Sequence, residues 1–449
     1  MGRVWVRSMF DAVADLGRQY LERSSKESQV ASAAERCRDL MSPHGEASGT
    51  ALAQEIVGLY RKMSEGERLA FLDMLANEWA PDSDRIKLAA EAYLKRADQD
   101  TLIALSAAAE SPRQELLRRV NIAPGGTAMI IKMREEILAN LDSHPHWRPL
   151  EIDLRHLLTS WFNRGFLQFA RIDWRTPAVV LEKLFEYEAV HEIRGWDDLR
   201  RRLAEDRRCF AFFHPALPDE PIIFVEVALT RGMADKITPL LEPGTEDSAK
   251  EPPDTAVFYS INACQDGLTG ISFGDLLIKQ VVDALSSELP RVKTYCTLSP
   301  IPGFRAWLER TGPDSPLESF AHEERSMLSD PLWAEREMTR RRMQKPLMQL
   351  CARYLAQEKR NGRPIDPVAR FHLGNGAAIE RINWGADMSE KGLRQAAGMM
   401  VNYVYDVDDI VENHEAYVRE GKVAVSTAVR GLLTQRKAAA NGNGKKEAS

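Results

Sequence analysis

Between two apolar runs of this 449-residue chain stands Gln265-Asp266-Gly267-Leu268-Thr269-Gly270-Ile271-Ser272, whose composition suits phosphate binding. Backbone N–H groups in a glycine-bearing turn from strand to helix point at an anion, and the positive end of the helix adds to their pull. Gly267 and Gly270 would let the main chain approach without a Cβ in the way. Overlapping this turn, Gly270-Ile271-Ser272-Phe273-Gly274 matches G-x-S-x-G, the pattern that exposes a nucleophilic serine between strand and helix, with His372 later in the chain as its base. Ser299, in Thr297-Leu-Ser-Pro-Ile-Pro-Gly-Phe304, is better read from its neighbours alone as a helix cap. His372 serves equally well as a hydrogen-bonded loop histidine or as a proton donor near neutrality. His144 and His146 have no third metal ligand at useful spacing, so no metal site is expected.

Bulk composition narrows the function classes. Sixty basic and 66 acidic residues are mixed along the chain for a net charge of −6, so no basic field exists to hold a nucleic acid. Arg340 to Arg342 with Lys345 reads as a solvated helix face. Five widely spaced cysteines without a C-x-x-C pair fit a reducing compartment. Neither a membrane-spanning run nor a secretory leader is expected. Four arginines before Ser24 resemble a transit peptide, but Asp11, Asp15 and Glu22 oppose that, so the expectation is cytoplasmic.

Two textures divide the chain. Up to about His146 apolar residues recur at helical spacing, with capping boxes expected at Ser64/Glu67 and Ser111/Gln114 and a turn at Ala123-Pro-Gly-Gly126. The turn-rich Ser143 to Pro149 marks the boundary, giving a helical domain over 1–148, a mixed domain over 149–437 and a disordered tail over 438–449. After Pro149, strands are expected over Phe166–Trp174, Arg208–Phe213, Pro221–Thr230, Ala256–Ala263 and Val292–Leu298, with helices over Pro177–Ala189, Trp196–Asp206 and Phe273–Leu289. The class is α+β: an all-α bundle followed by a mixed α/β domain. Antiparallel strands before the glycine loop oppose the hydrolase reading of the G-x-S-x-G string, which needs β-α-β crossovers there.

Two antiparallel strands, a third, a phosphate-type loop, a helix and another strand is an order that resembles the GNAT acyltransferase superfamily. That likeness implies coenzyme A with its pyrophosphate on the loop and its pantetheine arm where the two central strands splay, so the thioester would emerge near Ser299. Longer strings identify the chain more narrowly. His214-Pro-Ala-Leu-Pro-Asp-Glu-Pro-Ile-Ile-Phe-Val-Glu-Val-Ala-Leu229, Phe258-Tyr-Ser-Ile261, Thr297 to Phe304, Asp366-Pro-Val-Ala-Arg-Phe-His-Leu-Gly-Asn-Gly-Ala377, Arg381-Ile-Asn-Trp384 and Asn402-Tyr403 are similar to those of malonyl-CoA decarboxylases.

The resemblance implies conversion of malonyl-CoA to acetyl-CoA and carbon dioxide, a step of fatty acid metabolism, with no cofactor beyond the coenzyme A of the substrate. It further implies catalytic roles for Ser299, His372 and Tyr405, an acyl-CoA loop over Gln265 to Ser272, and self-association to a dimer or tetramer through the helical domain. Some relatives carry an acidic residue where Ser272 stands. The chemistry suits these side chains: loss of carbon dioxide leaves a thioester enolate, whose oxygen must be stabilised and whose carbon must be protonated. His214 is expected to pack beside its turn. Asn375, Asn383 and Asp387 are candidates for supporting contacts.

Overall fold

Helices follow one another wherever the apolar residues keep a period near 3.6 and a polar side chain can close the first turn. The computed structural model describes residues 29–43, 45–242, 252–271, 277–310, 316, 322–329 and 332–442. Ser272, Phe273, Gly274, the arginine-bearing segment before Ser24 and residues 443–449 of the expected tail lie outside them.

A first compact unit runs to Gln168 and also takes in Phe213–Glu220 and Gln265–Phe273. Residues 29–41 are helical, followed by helices Gly45–Lys62, Glu65–Glu78, Ser83–Lys95, Gln99–Ala109, Pro112–Asn121, Gly126–Asn140 and Arg148–Trp161. The expected box at Ser64 forms, with the Glu67 carboxylate accepting from the Ser64 N–H at 2.7 Å. The one expected at Ser111 does not: Ser111 Oγ donates to the Trp79 carbonyl at 2.9 Å, and the Gln114 amide donates to Asp153. Neighbouring helices offer these side chains better partners than their own first turn, and Pro112 starts the helix unaided.

The division falls later than Pro149. Trp147 is fully buried and donates to Asp73 at 2.7 Å, and Leu150, Leu154, Leu157 and Leu158 form one stripe packed among the earlier helices. His146 pairs with the same Asp73, while His144 stacks on Trp147.

The second unit is built on a seven-stranded sheet: β1 (Gln168–Ile172), β2 (Arg207–Phe213), β3 (Pro221–Thr230), β4 (Thr255–Ala263), β5 (Thr294–Thr297), β6 (Ala378–Asn383) and β7 (Met400–Val404). Their order is β1-β2-β3-β4-β5-β7-β6. β3 and β4 are antiparallel, β4 and β5 parallel, and β5–β7 and β7–β6 antiparallel. An N-terminal helical region followed by a mixed sheet in this order is the expected α+β, GNAT-like class. An antiparallel β3–β4 pair ahead of the glycine loop also removes the hydrolase alternative.

Alternation along the strands decides what faces where. Val257, Cys296 and Leu298 join a buried apolar cluster with Ala228, Ile237 and Met400. Phe258 and Ser260 of β4, with Ser299 just beyond β5, line a cavity. The β4–β5 register ends at Phe258↔Thr297; β4 continues beside β3 to Ala263, whereas the chain after β5 turns to β7, where Ser299 pairs with Val401. The cavity, ≈ 240 Å³, opens along that divergence.

Helix Pro367–Gly374 brings the other wall. Its start is a readable signal, Asp366 accepting from Ala369 N–H at 2.9 Å with Pro367 in the first turn. Its end depends on Gly376, at φ +82°, where a Cβ would stand 2.1 Å from the Ile410 carbonyl oxygen. The basic run near Arg341 is a paired surface, Arg340 and Arg341 to Glu337 and Arg342 to Glu323. Helix Thr427–Gly442 passes position 438, where the sequence reading begins a tail.

Because both strain and overlap act at one position, Gly376→Ala is expected to lower folding stability by about 2 kcal/mol or more. A lower urea midpoint with an unchanged slope would register it.

Candidate active site

Ser299 follows a buried strand, and both its backbone groups are held: its N–H donates to Val401 O at 2.9 Å and its carbonyl accepts from Val401 N–H at 3.0 Å. The hydroxyl is thereby fixed to one side of the strand. Pro300, at the cavity wall, and Pro302 shape the loop that follows, and Gly303 lies so close to Tyr354 that a Cβ would stand 2.3 Å from its hydroxyl. Tyr354 in turn donates to Asp366 at 3.2 Å. Asp366, fully buried, accepts from both this tyrosine and the start of helix Pro367–Gly374, so one carboxylate ties the Ser299 loop to the helix bearing His372.

The structure brings Ser299, His372 and Tyr405 together. Ser299 Oγ is 3.0 Å from His372 Nε2, and His372 Nδ1 is 2.7 Å from the Tyr405 hydroxyl. The imidazole stacks on the Tyr403 ring, with centroids 4.6 Å apart. Ser299, His372 and Tyr405 are all buried, yet Ser299 and His372 line the cavity with Val190, Ile223, Phe258, Ile261, Pro367, Val368 and Phe371. This wall is apolar apart from Tyr259, Ser260, Ser299 and His372.

Burial alone pushes the His372 imidazole down to about 3, so it is neutral at physiological pH. Burial likewise raises the Tyr405 phenol, which stays protonated. Ser260 donates to Glu188 at 2.8 Å, and Glu188 also accepts from the Asn262 amide and from the Val190 and His191 N–H groups. Sequence reading passed over this carboxylate, which anchors the loop carrying Val190 to the cavity wall. Its local partners, the Val190 and His191 N–H groups, look like an ordinary helix-end turn, and the two side chains that bury it, Ser260 and Asn262, lie more than 70 positions away.

The expected acyl-CoA loop belongs to the first unit. Asp266–Leu268 form a 3₁₀ turn, and N–H groups of Leu268, Thr269 and Ile271 close bonds within the loop. Arg134, fully buried and paired with Glu151, donates to the carbonyls of Gly267 and Thr269 at 2.6 and 2.9 Å. Gly267 is required by contact, since a Cβ would stand 2.1 Å from the Ile131 carbonyl oxygen. Arg134 was also missed by sequence reading; an arginine inside an apolar helical stripe is the signal that could have found it.

His214 packs as expected, its ring over Phe162 and its Nε2 at 3.2 Å from the Trp161 carbonyl oxygen. Asn375 caps its own helix by donating to Phe371 O, and Asp387 accepts from Ser389 N–H in a turn. Asn383 reaches further, donating to Asn402, whose amide donates to the Thr297 carbonyl. Among the described residues no cluster of three or more His, Cys, Asp or Glu could hold a metal, and no helix is long and apolar enough to cross a membrane.

A histidine whose folded value lies below its ordinary 6.5 leaves the unfolded chain binding the extra proton between pH 6.5 and about 3. Its contribution to stability is therefore lost as pH falls through that window. His372→Gln is expected to reduce the acid destabilisation between pH 7 and pH 5 by roughly 1–2 kcal/mol, measured as the difference in urea unfolding free energies at the two values. Equal pH dependence in both proteins would contradict the buried neutral imidazole.

Comparison with known proteins gives a consistent family. A model described as "Malonyl-CoA decarboxylase C-terminal domain" matches residues 165–443, and one described as "Malonyl-CoA decarboxylase N-terminal domain" matches 79–162. The curated "Malonyl-CoA decarboxylase, mitochondrial" of Anser anser anser is 34% identical over 419 residues, 85% of this chain and 83% of that protein. Its counterpart from Rattus norvegicus is 34% identical over 417 residues, 85% of each. The crystal structure of malonyl-CoA decarboxylase from Rhodopseudomonas palustris superposes with TM-score 0.84 at 50% identity, covering 90% of this chain and 99% of the other. That from Agrobacterium vitis gives 0.81 at 45%, with the same coverage. With both halves matched and relatives aligned over most of their length, the chain belongs to the malonyl-CoA decarboxylase family and is a carboxy-lyase.

Proposed function

We propose that Ser299 and His372 are the reacting pair for loss of carbon dioxide from malonyl-CoA, with Tyr405 orienting the imidazole and no metal or prosthetic group taking part. The observation that supports this reading best is the 3.0 Å approach of Ser299 Oγ to His372 Nε2 at the wall of an otherwise apolar cavity. The thioester carbonyl is itself the electron sink, so the reaction requires no further one. Ser299 donates to the malonyl carboxylate, which the apolar wall deprives of water while imposing no such cost on neutral carbon dioxide.

The charge balance assigns His372 its part. It awaits substrate neutral, and the incoming carboxylate, an anion in a dry site, raises its proton affinity, so one proton is taken up with the substrate. As the C–C bond breaks, its electron pair passes onto the α-carbon and thioester oxygen, and carbon dioxide departs. Ser299 then delivers its proton to the carbon and is refilled from Nε2. One proton from solvent is consumed per turnover, as the net reaction requires.

The loop Gln265 to Ser272 is assigned to the phosphates of coenzyme A; Arg134, by holding two of its carbonyls, would keep its main chain in place. A homo-oligomer and a cytoplasmic location complete the reading. Leu88, Leu94 and Ile103, exposed on helices Ser83–Lys95 and Gln99–Ala109, supply apolar surface for association.

Ser299→Ala and His372→Ala are each expected to cut malonyl-CoA consumption by at least about 100-fold. Coenzyme A binding by calorimetry should stay near that of the unaltered protein. Retention of full turnover by either variant would refute the pair.

A further inference from the structure

The region between β5 and β7 contains an irregularity that the Ser/His reading leaves unexplained. Cys296↔Val404 and Ser299↔Val401 pair in one continuous register, so Thr297 and Tyr403 should face each other as a ladder pair. Pairing lapses there. The Tyr403 N–H donates to the Thr297 side-chain oxygen at 3.1 Å, and the Thr297 carbonyl accepts from the Asn402 amide at 2.7 Å. A backbone donor and a buried asparagine are thus given over to fixing one threonine, completely buried, whose Oγ1 accepts from Ser299 Oγ at 2.9 Å.

Distances along the chain of four groups give it a direction. Hydroxyl donors sit near 2.7–2.8 Å from their acceptors and N–H donors near 2.9–3.0 Å. The 2.7 Å contact at Nδ1 fits donation by the Tyr405 hydroxyl, and the 3.0 Å contact at Nε2 fits donation by the imidazole to Ser299. The Ser299 hydrogen then needs an acceptor other than Nε2, and Thr297 Oγ1 is that acceptor.

We propose that Thr297 is a positioning residue that holds the Ser299 hydroxyl away from His372, so that the resting imidazole keeps its proton on Nε2 and the whole chain runs Tyr405 to His372 to Ser299 to Thr297. The inference rests on the Ser299/His372 reading. Without the threonine oxygen, the best acceptor for Ser299 is Nε2 itself. The relay then reverses, the proton moves to Nδ1, and the hydroxyl is committed to the imidazole when the substrate carboxylate arrives. With Thr297 in place, it has only to turn from one neutral acceptor to a charged one.

Thr297→Val keeps the shape of the side chain and removes its oxygen. Full-length protein with ¹⁵N-labelled histidine is expected to show His372 protonated on Nε2, and the Val variant to show it shifted to Nδ1. Turnover should fall about tenfold or more in the Val variant with KM within about twofold, and Thr297→Ser should restore both the rate and the tautomer. Should the Val protein not fold, Thr297→Ala is read in the same way. A resting protein with its proton on Nδ1, or a Val or Ala variant with unaltered tautomer and rate, overturns the role of Thr297. Ser299→Ala with full activity instead overturns the pair itself, whatever Thr297 does.

Discussion

Parallel pairing of β4 with β5 ends at Phe258 and Thr297, and the cavity depends on where each strand goes from there. β4 keeps β3 as its partner; the chain beyond β5 takes β7. Each strand keeps its outer neighbour, and the inner edges part to open an apolar cavity inside a sheet. Ser299 reaches that cavity because its own N–H and carbonyl are both occupied by Val401. His372 reaches it because a buried aspartate joins its helix to the loop after Ser299.

Dryness has two effects that act together. It strips the imidazole of its affinity for a proton, leaving it neutral while the cavity waits. It also makes any unpaired carboxylate an unwelcome guest, since the same apolar lining that disfavours charge on His372 disfavours every other charge placed there. The Tyr259 and Tyr403 hydroxyls are buried without a partner among the described residues, but the groups around Ser299 are matched: Ser260 to Glu188, Tyr405 to His372, Thr297 to Tyr403 and Ser299. Such a network is cheap to keep because it is satisfied, and expensive to break for the same reason.

Much of this architecture was legible in the residues. The strand Pro221–Thr230 reads correctly to the residue because it is a long β-branched run closed by turn formers. By contrast, the helix Pro367–Gly374 was not read as one, although Asp366-Pro367 supplies a cap and a proline, and His372 was placed in a loop. Ser299 and His372 were not legible as partners from local chemistry, since 73 positions separate them and each has an ordinary reading as a turn residue. Likeness to a family singled them out, and geometry brought them within one hydrogen bond. The helical boundary was misplaced for the opposite reason: turn formers at Ser143 to Pro149 are a strong local signal, but the leucine stripe after them carries the helix back into the first unit. Glu188 and Arg134 stayed hidden because, beside near partners such as Val190 and Glu151, each is buried by groups more than 70 positions away.

Arg134 and Glu151 lie in the N-terminal half, yet the guanidinium grips carbonyls of a loop encoded more than 130 positions later. The chain enters the helical unit three separate times, at its start, at Phe213–Glu220 and at Gln265–Phe273. A protein threaded in this way is not two modules joined by a tether. Cutting it at Pro149 to obtain a smaller enzyme would strand two excursions of the remaining polypeptide without the surface they were folded on, and recombination between relatives at that point would have to exchange matching stitches as well as whole halves.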